Sequence, residues 1–208
     1  MEKDFVQTMN FEKTKKYEPP VIITISGKAG SGKTTLAYYL SENLKVYLIS
    51  NDYIRQYLDQ TGNYINNRSL REDKLKDINQ KRIEKLINNR ISFIYDRDFN
   101  LLENFQKLED MANGYKFIKI RINSIDEENI QRIVDRQKDF NKELKNVIGD
   151  NIMSSNSFNE ETYYIINERK PQTLEDNFFD YIIDNTGSLD YFKEQIVNII
   201  NDIELKSN

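Results

Sequence analysis

The sequence predicts an α/β fold whose mainly parallel sheet is covered by helices on both faces. Three observations predict it. Short runs rich in β-branched residues alternate with helical patterns along the 208 residues. The first of those runs flows straight into a glycine-rich turn that opens a helix. The residues best suited to chemistry fall at the carboxyl ends of the runs, where a parallel α/β sheet binds its ligands.

The elements follow in order. Residues 1–20, "MEKDFVQTMNFEKTKKYEPP", are polar and close on Pro19-Pro20, which favours extended backbone and marks a boundary, so they read as a short extension before one domain spanning 21–208. The first strand begins Val21-Ile22-Ile23, and four more are expected at 44–50, 91–95, 115–122 and 180–184. Leu75, Ile78, Ile83, Leu86 and Ile87 have helical spacing, as do Leu189, Phe192, Ile196, Ile199, Ile200 and Ile203. Ser124-Ile125-Asp126-Glu127 reads as a capping box opening a helix with Ile130, Ile133 and Val134. The polar stretch 149–162 reads as a loop. A chain of this length fits one such domain with a sizeable core and room for a lid.

Composition narrows the chemistry. The chain has 38% hydrophobic and 12% aromatic residues, as a folded domain requires, and the aromatic excess is expected mostly in the core. There is no cysteine, hence no disulfide, thiolate nucleophile or zinc–thiolate site, and no histidine to serve as a base near neutral pH. Proton chemistry must rest on carboxylates, lysine or tyrosine. A net charge of −4 exerts no global pull on nucleic acid and favours small substrates over long polynucleotides. The apolar runs are short, and Met1-Glu2-Lys3-Asp4 lacks a signal peptide's pattern; a cytoplasmic protein with no membrane partner is expected.

Gly27-Lys28-Ala29-Gly30-Ser31-Gly32-Lys33-Thr34 fits G-x-x-x-x-G-K-[ST], with Thr35 following, between an apolar β-rich run and a helical pattern. The glycines let backbone N–H groups turn inward around phosphate oxygens, and the helix adds its N-terminal partial charge. Lys33 is expected at the β/γ oxygens and Thr34 at Mg²⁺, so the turn would hold ATP with Mg²⁺. A regulatory GTPase would need D-x-x-G after an early strand and N-K-x-D for guanine; Asp184-Asn185-Thr186-Gly187 fits the first but follows the last strand, and "NKEL" at 141–144 fails the second. The third strand ends Tyr95-Asp96-Arg97-Asp98, without the Glu that an AAA-type ATPase would use to activate water. Asp96 reads as a magnesium-shell carboxylate and water as an unfavoured acceptor.

The second strand ends "LISNDYIRQYL". A helix starting near Asp52 would set Asp52 and Arg55 on one face, across the strand ends from the phosphate turn. With no histidine available, Asp52 is the candidate base for an acceptor hydroxyl, and Arg55 can hold that carboxylate or an anionic acceptor group. The plain alternative is an aspartate cap with a surface arginine. Arg132 and Arg136 lie four apart on the helix opened by Ser124 and could close over the transferring phosphoryl group, or form an ordinary solvated face. Arg55, Arg71, Arg82 and Arg90 could equally bind an acceptor phosphate or face solvent.

The motifs "GKAGSGKTT", "NDYIRQ", "ISFIYDRD" and "QRIVDRQ", in this order, resemble the P-loop kinases of the nucleoside-monophosphate-kinase group, closest to the branch with polynucleotide 5′-kinases, zeta-type toxins and adenylylsulfate kinase. The resemblance implies a three-layer fold with a five-stranded sheet in the order 2-3-1-4-5 and a helical lid at about 124–150. It implies Asp52 as base, Arg55 in acceptor binding, Arg136 as lid arginine, and a hydroxyl at the 5′-end of a nucleotide or nucleic acid as acceptor. "FFDYIIDNTGSLDYFKEQI" is similar to the last strand and helix of nucleoside-monophosphate kinases, which puts Asn185 near adenine. Asp96-Arg97 resembles the pair of thymidylate kinases, and a deoxynucleoside monophosphate kinase, in which Asp52 is structural, stays open beside an ATP-binding regulatory or toxin-like module.

Overall fold

A computed structural model describes residues 5–60, 67–96, 102–133, 135 and 174–206. Their elements are β1 (Val21–Gly27), α1 (Lys33–Leu44), β2 (Tyr47–Ser50), α2 (Asn51–Gln60), α3 (Arg68–Asn88), β3 (Phe93–Asp96), α4 (Leu102–Met111), β4 (Lys116–Asn123), a helix α5 described over 126–133, β5 (Tyr181–Asp184) and α6 (Leu189–Leu205). The five strands form one parallel sheet in the order β2-β3-β1-β4-β5, as the resemblance implied.

Alternation along the buried strands sorts the core into two layers. Val21, Ile23 and Ile25 of β1 face a cluster built with Leu36, Leu40 and Leu44 of α1 and Phe192, Ile196 and Ile203 of α6. Ile22 faces the other side, with Ile83 and Leu86 of α3 and Phe105 and Leu108 of α4. Register aligns the carboxyl edge: Ser50 of β2 lies opposite Asp96 of β3, Gly27 of β1 opposite Ile122 of β4, and Asn123 opposite Asp184 of β5. That edge carries the site.

Two expectations are corrected. The second strand starts at Tyr47, not at residue 44, because Leu36, Leu40 and Leu44 share the buried stripe of α1, which Lys45 ends in a left-handed conformation at φ 53°. Ser124 does not build a capping box. The first α5 bond runs from Asn129 N–H to the Ile125 carbonyl, and Ser124 Oγ accepts from Asn129 Nδ2 at 2.7 Å. Residues 5–20 are polar on average yet well packed, with Phe5, Met9 and Tyr17 all buried. The expected loop at 149–162 and the lid beyond residue 135 lie outside the described residues.

Candidate functional site

The phosphate turn is made by two glycines in conformations that side chains rarely adopt. Gly30 has φ +77° and Gly32 φ +98°, the latter serving as the N-cap of α1. Both also sit under close neighbours: a Cβ on Gly30 would come 2.5 Å from the Asn129 carbonyl oxygen of α5, and one on Gly32 would come 3.0 Å from Asn185 Nδ2. The turn therefore fits only as glycine. No acidic residue stands in the first turn of α1 to compete with a phosphate for its N–H groups.

Side chains converge on the same point. Lys33 Nζ donates to the Gly27 and Lys28 carbonyls, each at 2.8 Å, so its ammonium lies folded along the turn. Thr34 Oγ1 donates to Asp96 Oδ2 at 3.0 Å, joining the second residue of α1 to the end of β3. A threonine hydroxyl beside a buried carboxylate supplies hard oxygen donors of the kind Mg²⁺ takes, and the pair fits that ion. Beyond them opens a cleft of about 370 Å³ lined by Gly30, Gly32, Lys33, Thr34, Thr35, Arg132, Ile133, Asn185, Gly187, Leu189 and Phe192. Asn185 Nδ2 donates to the Ser31 carbonyl at 2.8 Å, while Gln195 brackets Asp184 through both its N–H and its carbonyl, which fixes the turn after β5 against the phosphate turn. Arg132 Nη2 donates to Glu128 Oε2 at 2.8 Å and reaches the Asn185 carbonyl at 3.4 Å.

Lys28, expected among the nucleotide-binding residues, is engaged with Asp126 at 2.6 and 2.8 Å and ties the turn to the start of α5. Ala29 belongs to the same turn and is partly buried. On the other side of the sheet, α2 starts at Asn51, directly after β2, so Asp52 and Arg55 are one helical turn apart as expected; the Asp52 side chain lies outside the described ones. β2 is two strand spacings from β1, roughly 10 Å. Arg55 is held by Glu72 of α3. Of the other arginines considered, Arg71 and Arg82 are buried on α3, Arg82 lying over the Tyr47 ring, and Arg90 is exposed at the far end of α3, 3.5 Å from Glu18. Arg97 and Arg136 fall outside the described residues. Sequence reasoning assigned no site role to Glu72, Asn79, Asp126, Glu128 or Gln195; Asp126 stood only in the expected capping box and Gln195 only within the quoted last helix.

A parallel sheet in this order, entered through a phosphate turn after its central strand, is the P-loop kinase form of the α/β nucleotide-binding fold. The AAA domain family model matches residues 21–154, and the chain belongs to that family. Similar solved structures include a kinase candidate from Chloroflexus aurantiacus, 18% identical with a TM-score of 0.61 over 91% of this chain and 96% of that one. The PezAT toxin–antitoxin system of Streptococcus pneumoniae is 15% identical, with a TM-score of 0.58 over 92% and 88%. The APS kinase of Mycobacterium tuberculosis, in complex with AMPPNP and APS, is 16% identical, with a TM-score of 0.52 over 91% and 99%. At these identities the likeness is one of fold. No curated protein matches the sequence significantly. No helix among the described residues is long and apolar enough to cross a membrane.

Proposed function

We propose that the chain is an ATP- and Mg²⁺-dependent kinase that transfers the γ-phosphate to a hydroxyl of a nucleotide or of a nucleic-acid 5′-end. The observation that supports it most is the separation of two half-sites on one edge: the Lys33–Thr34–Asp96 cradle after β1 and β3, and α2 with Asp52 and Arg55 rising directly from β2. A donor held at the first and an acceptor at the second would meet above Asp96.

In this reading the turn and the α1 N-terminus bind the phosphates, and Lys33 leaves the Gly27 and Lys28 carbonyls to reach the β/γ oxygens. Thr34 and Asp96 would hold Mg²⁺, which when bound would supply neutralisation of charge on the phosphate oxygens. Asp52 takes the acceptor hydroxyl proton as the new O–P bond forms and the bond to the β-phosphate oxygen breaks, releasing ADP. Arg55 orients the acceptor. Arg132, lining the cleft, would cover the phosphoryl group and exclude water, with Arg136 taking the lid role that the resemblance implies.

The test is a radiolabelled-ATP screen over 5′-hydroxyl DNA and RNA, nucleosides, nucleoside monophosphates and sugar nucleotides, with Asp52→Asn alongside. Transfer to a hydroxyl acceptor that falls about 10²–10⁴-fold in Asp52→Asn, with ATP binding intact, is the expected result. Transfer only to a nucleoside monophosphate, or near-normal turnover by Asp52→Asn, would overturn the assignment of Asp52, and no transfer to any member of the panel would overturn the kinase.

A further inference from the structure

Helices α2 and α3 meet in two chemically different ways. An apolar cluster of Ile54, Leu58, Leu75 and Ile78, closed by Phe5, joins them. Where α2 leaves the sheet, Asn79 Nδ2 donates to Asn51 Oδ1 at 2.7 Å. Further out along both helices, Glu72 takes the Arg55 guanidinium in a two-pronged bond, 3.0 Å from Nε to Oε1 and 3.2 Å from Nη2 to Oε2, and Oε1 also lies 3.5 Å from Arg71 Nε.

Cohesion does not require this bond. The Arg55 and Glu72 side chains are 33% and 30% exposed, and ion pairs in contact with water add little to stability beside a buried apolar cluster. What the fork does supply is direction, because a guanidinium gripped on two nitrogens by a carboxylate has its plane fixed. Arg71, with 10% of its side chain exposed, lies beside the same carboxylate, its Nε 3.5 Å from Oε1. The result is an arginine of fixed pose on the helix that also carries Asp52 and that follows β2, two strands from β1.

We infer that Glu72 is a positioning residue for acceptor recognition: it holds Arg55 so that the guanidinium presents a set edge to a phosphate oxyanion of the acceptor. The inference rests on the reading above that Arg55 faces the acceptor, and it names the recognised chemistry as phosphate, carried either by a free nucleotide or by an oligonucleotide backbone. Fixing the donor in advance removes the cost of ordering a long side chain when the anion arrives. Recognition then depends on α3 staying docked on α2.

The experiment measures binding to the full chain saturated with Mg²⁺ and a non-hydrolysable ATP analogue, using AMP in one arm and a labelled 5′-hydroxyl DNA hexamer in the other. Wild type is compared with Glu72→Gln, Arg55→Lys and the double variant. The expected result is that one probe binds and that Glu72→Gln weakens it about tenfold, while the same change costs less than twofold in the Arg55→Lys background and leaves analogue affinity unchanged. The arm that responds identifies the phosphate source. Equal affinities for wild type and Glu72→Gln, independent losses in the two backgrounds, or a wild type that binds neither probe would each overturn the inference. Glu72→Asp keeps the carboxylate and is expected to retain most of the affinity, which provides the comparison if Glu72→Gln lowers the melting temperature. Coupling between the two residues without phosphoryl transfer would remove the kinase reading and leave the positioning role standing.

Discussion

Gly30 is where the phosphate turn and α5 are most tightly fitted, and replacing it by alanine tests whether that contact is real. The added Cβ would stand 2.5 Å from the Asn129 carbonyl oxygen and 3.0 Å from its carbonyl carbon and Cα, all backbone atoms that no rotamer change can move. Ordinary contact begins near 3.4 Å, so α5 must recede by about 1 Å or the turn must refold. Holding alanine at φ +77° costs about 1–2 kcal/mol, and relieving an overpacked contact costs about 1–3 kcal/mol more. For a chain of this length the sum lowers the melting temperature by roughly 4–20 °C. Nucleotide affinity should fall with it, because α5 carries Arg132 and Ile133 into the cleft. Calorimetric melting and isothermal titration with Mg·ATP read both effects. Lys28→Ala is the control: it removes the Lys28–Asp126 bond, whose side chains are 57% and 59% exposed, and is expected to cost no more than about 1 kcal/mol. A Gly30→Ala protein that melts within 2 °C of wild type (roughly the effect of 1 kcal/mol or less) and binds Mg·ATP equally well would refute the docking of α5 on the turn.

Two further outcomes are expected. Thr34→Val removes the hydroxyl that donates to Asp96, so the gain in ATP affinity on adding Mg²⁺ should shrink about tenfold, while affinity in EDTA changes less than twofold; titrations with and without the ion check this. Burial pushes the Tyr115 phenol up to about 12, against the opposing pull of Arg90, and its hydroxyl donates to the Leu86 and Ile91 carbonyls at 3.2 and 3.3 Å. Because the folded value is raised above the ordinary one near 10, the stability it contributes is complete below about pH 10 and lost as pH rises toward 12. Urea melts between pH 9 and 12 should therefore fall more steeply for wild type than for Tyr115→Phe, and equal slopes would contradict the burial of that hydroxyl.

The glycine turn was legible because its geometry is local. Consecutive residues from Gly27 to Thr34 set the dihedrals of the turn, and Asp96 needed only to be the last residue of a strand. The contacts around it were not, because they come from the packing of helices: Arg55 meets Glu72 from 17 residues away, Asn51 meets Asn79 from 28, and Lys28 of the turn meets Asp126 of α5 from 98. No spacing rule links such positions. The early start assigned to the second strand has a related cause, since Leu44 is apolar in either reading and only its place in the 36, 40, 44 stripe shows that it belongs to α1. Ser124 had the composition of a cap, yet its hydroxyl serves the buried Asn129 instead.

The N-terminal segment was the least legible part, and its physical role follows from the sheet. β2 is an edge strand of four residues, and an uncovered edge invites pairing with other chains. Residues 5–17 run beside it: Lys15 N–H donates to the Lys45 carbonyl at 2.7 Å, Tyr17 Oη to the Leu44 carbonyl at 2.8 Å, and Phe11 packs edge-on against Tyr47. Each of the three apolar clusters draws on this segment, through Tyr17 in the α1–α6 layer, Met9 with partly buried Phe11 in the α3–α4 layer and Phe5 between α2 and α3. The apolar residues of this polar stretch carry no periodicity, so it reads only as an extension; spread along it, they let one short segment reach all three clusters. Phe5 also stacks edge-on against Tyr57 of α2, so the segment supports, from behind, the helix on which Asp52 and Arg55 stand.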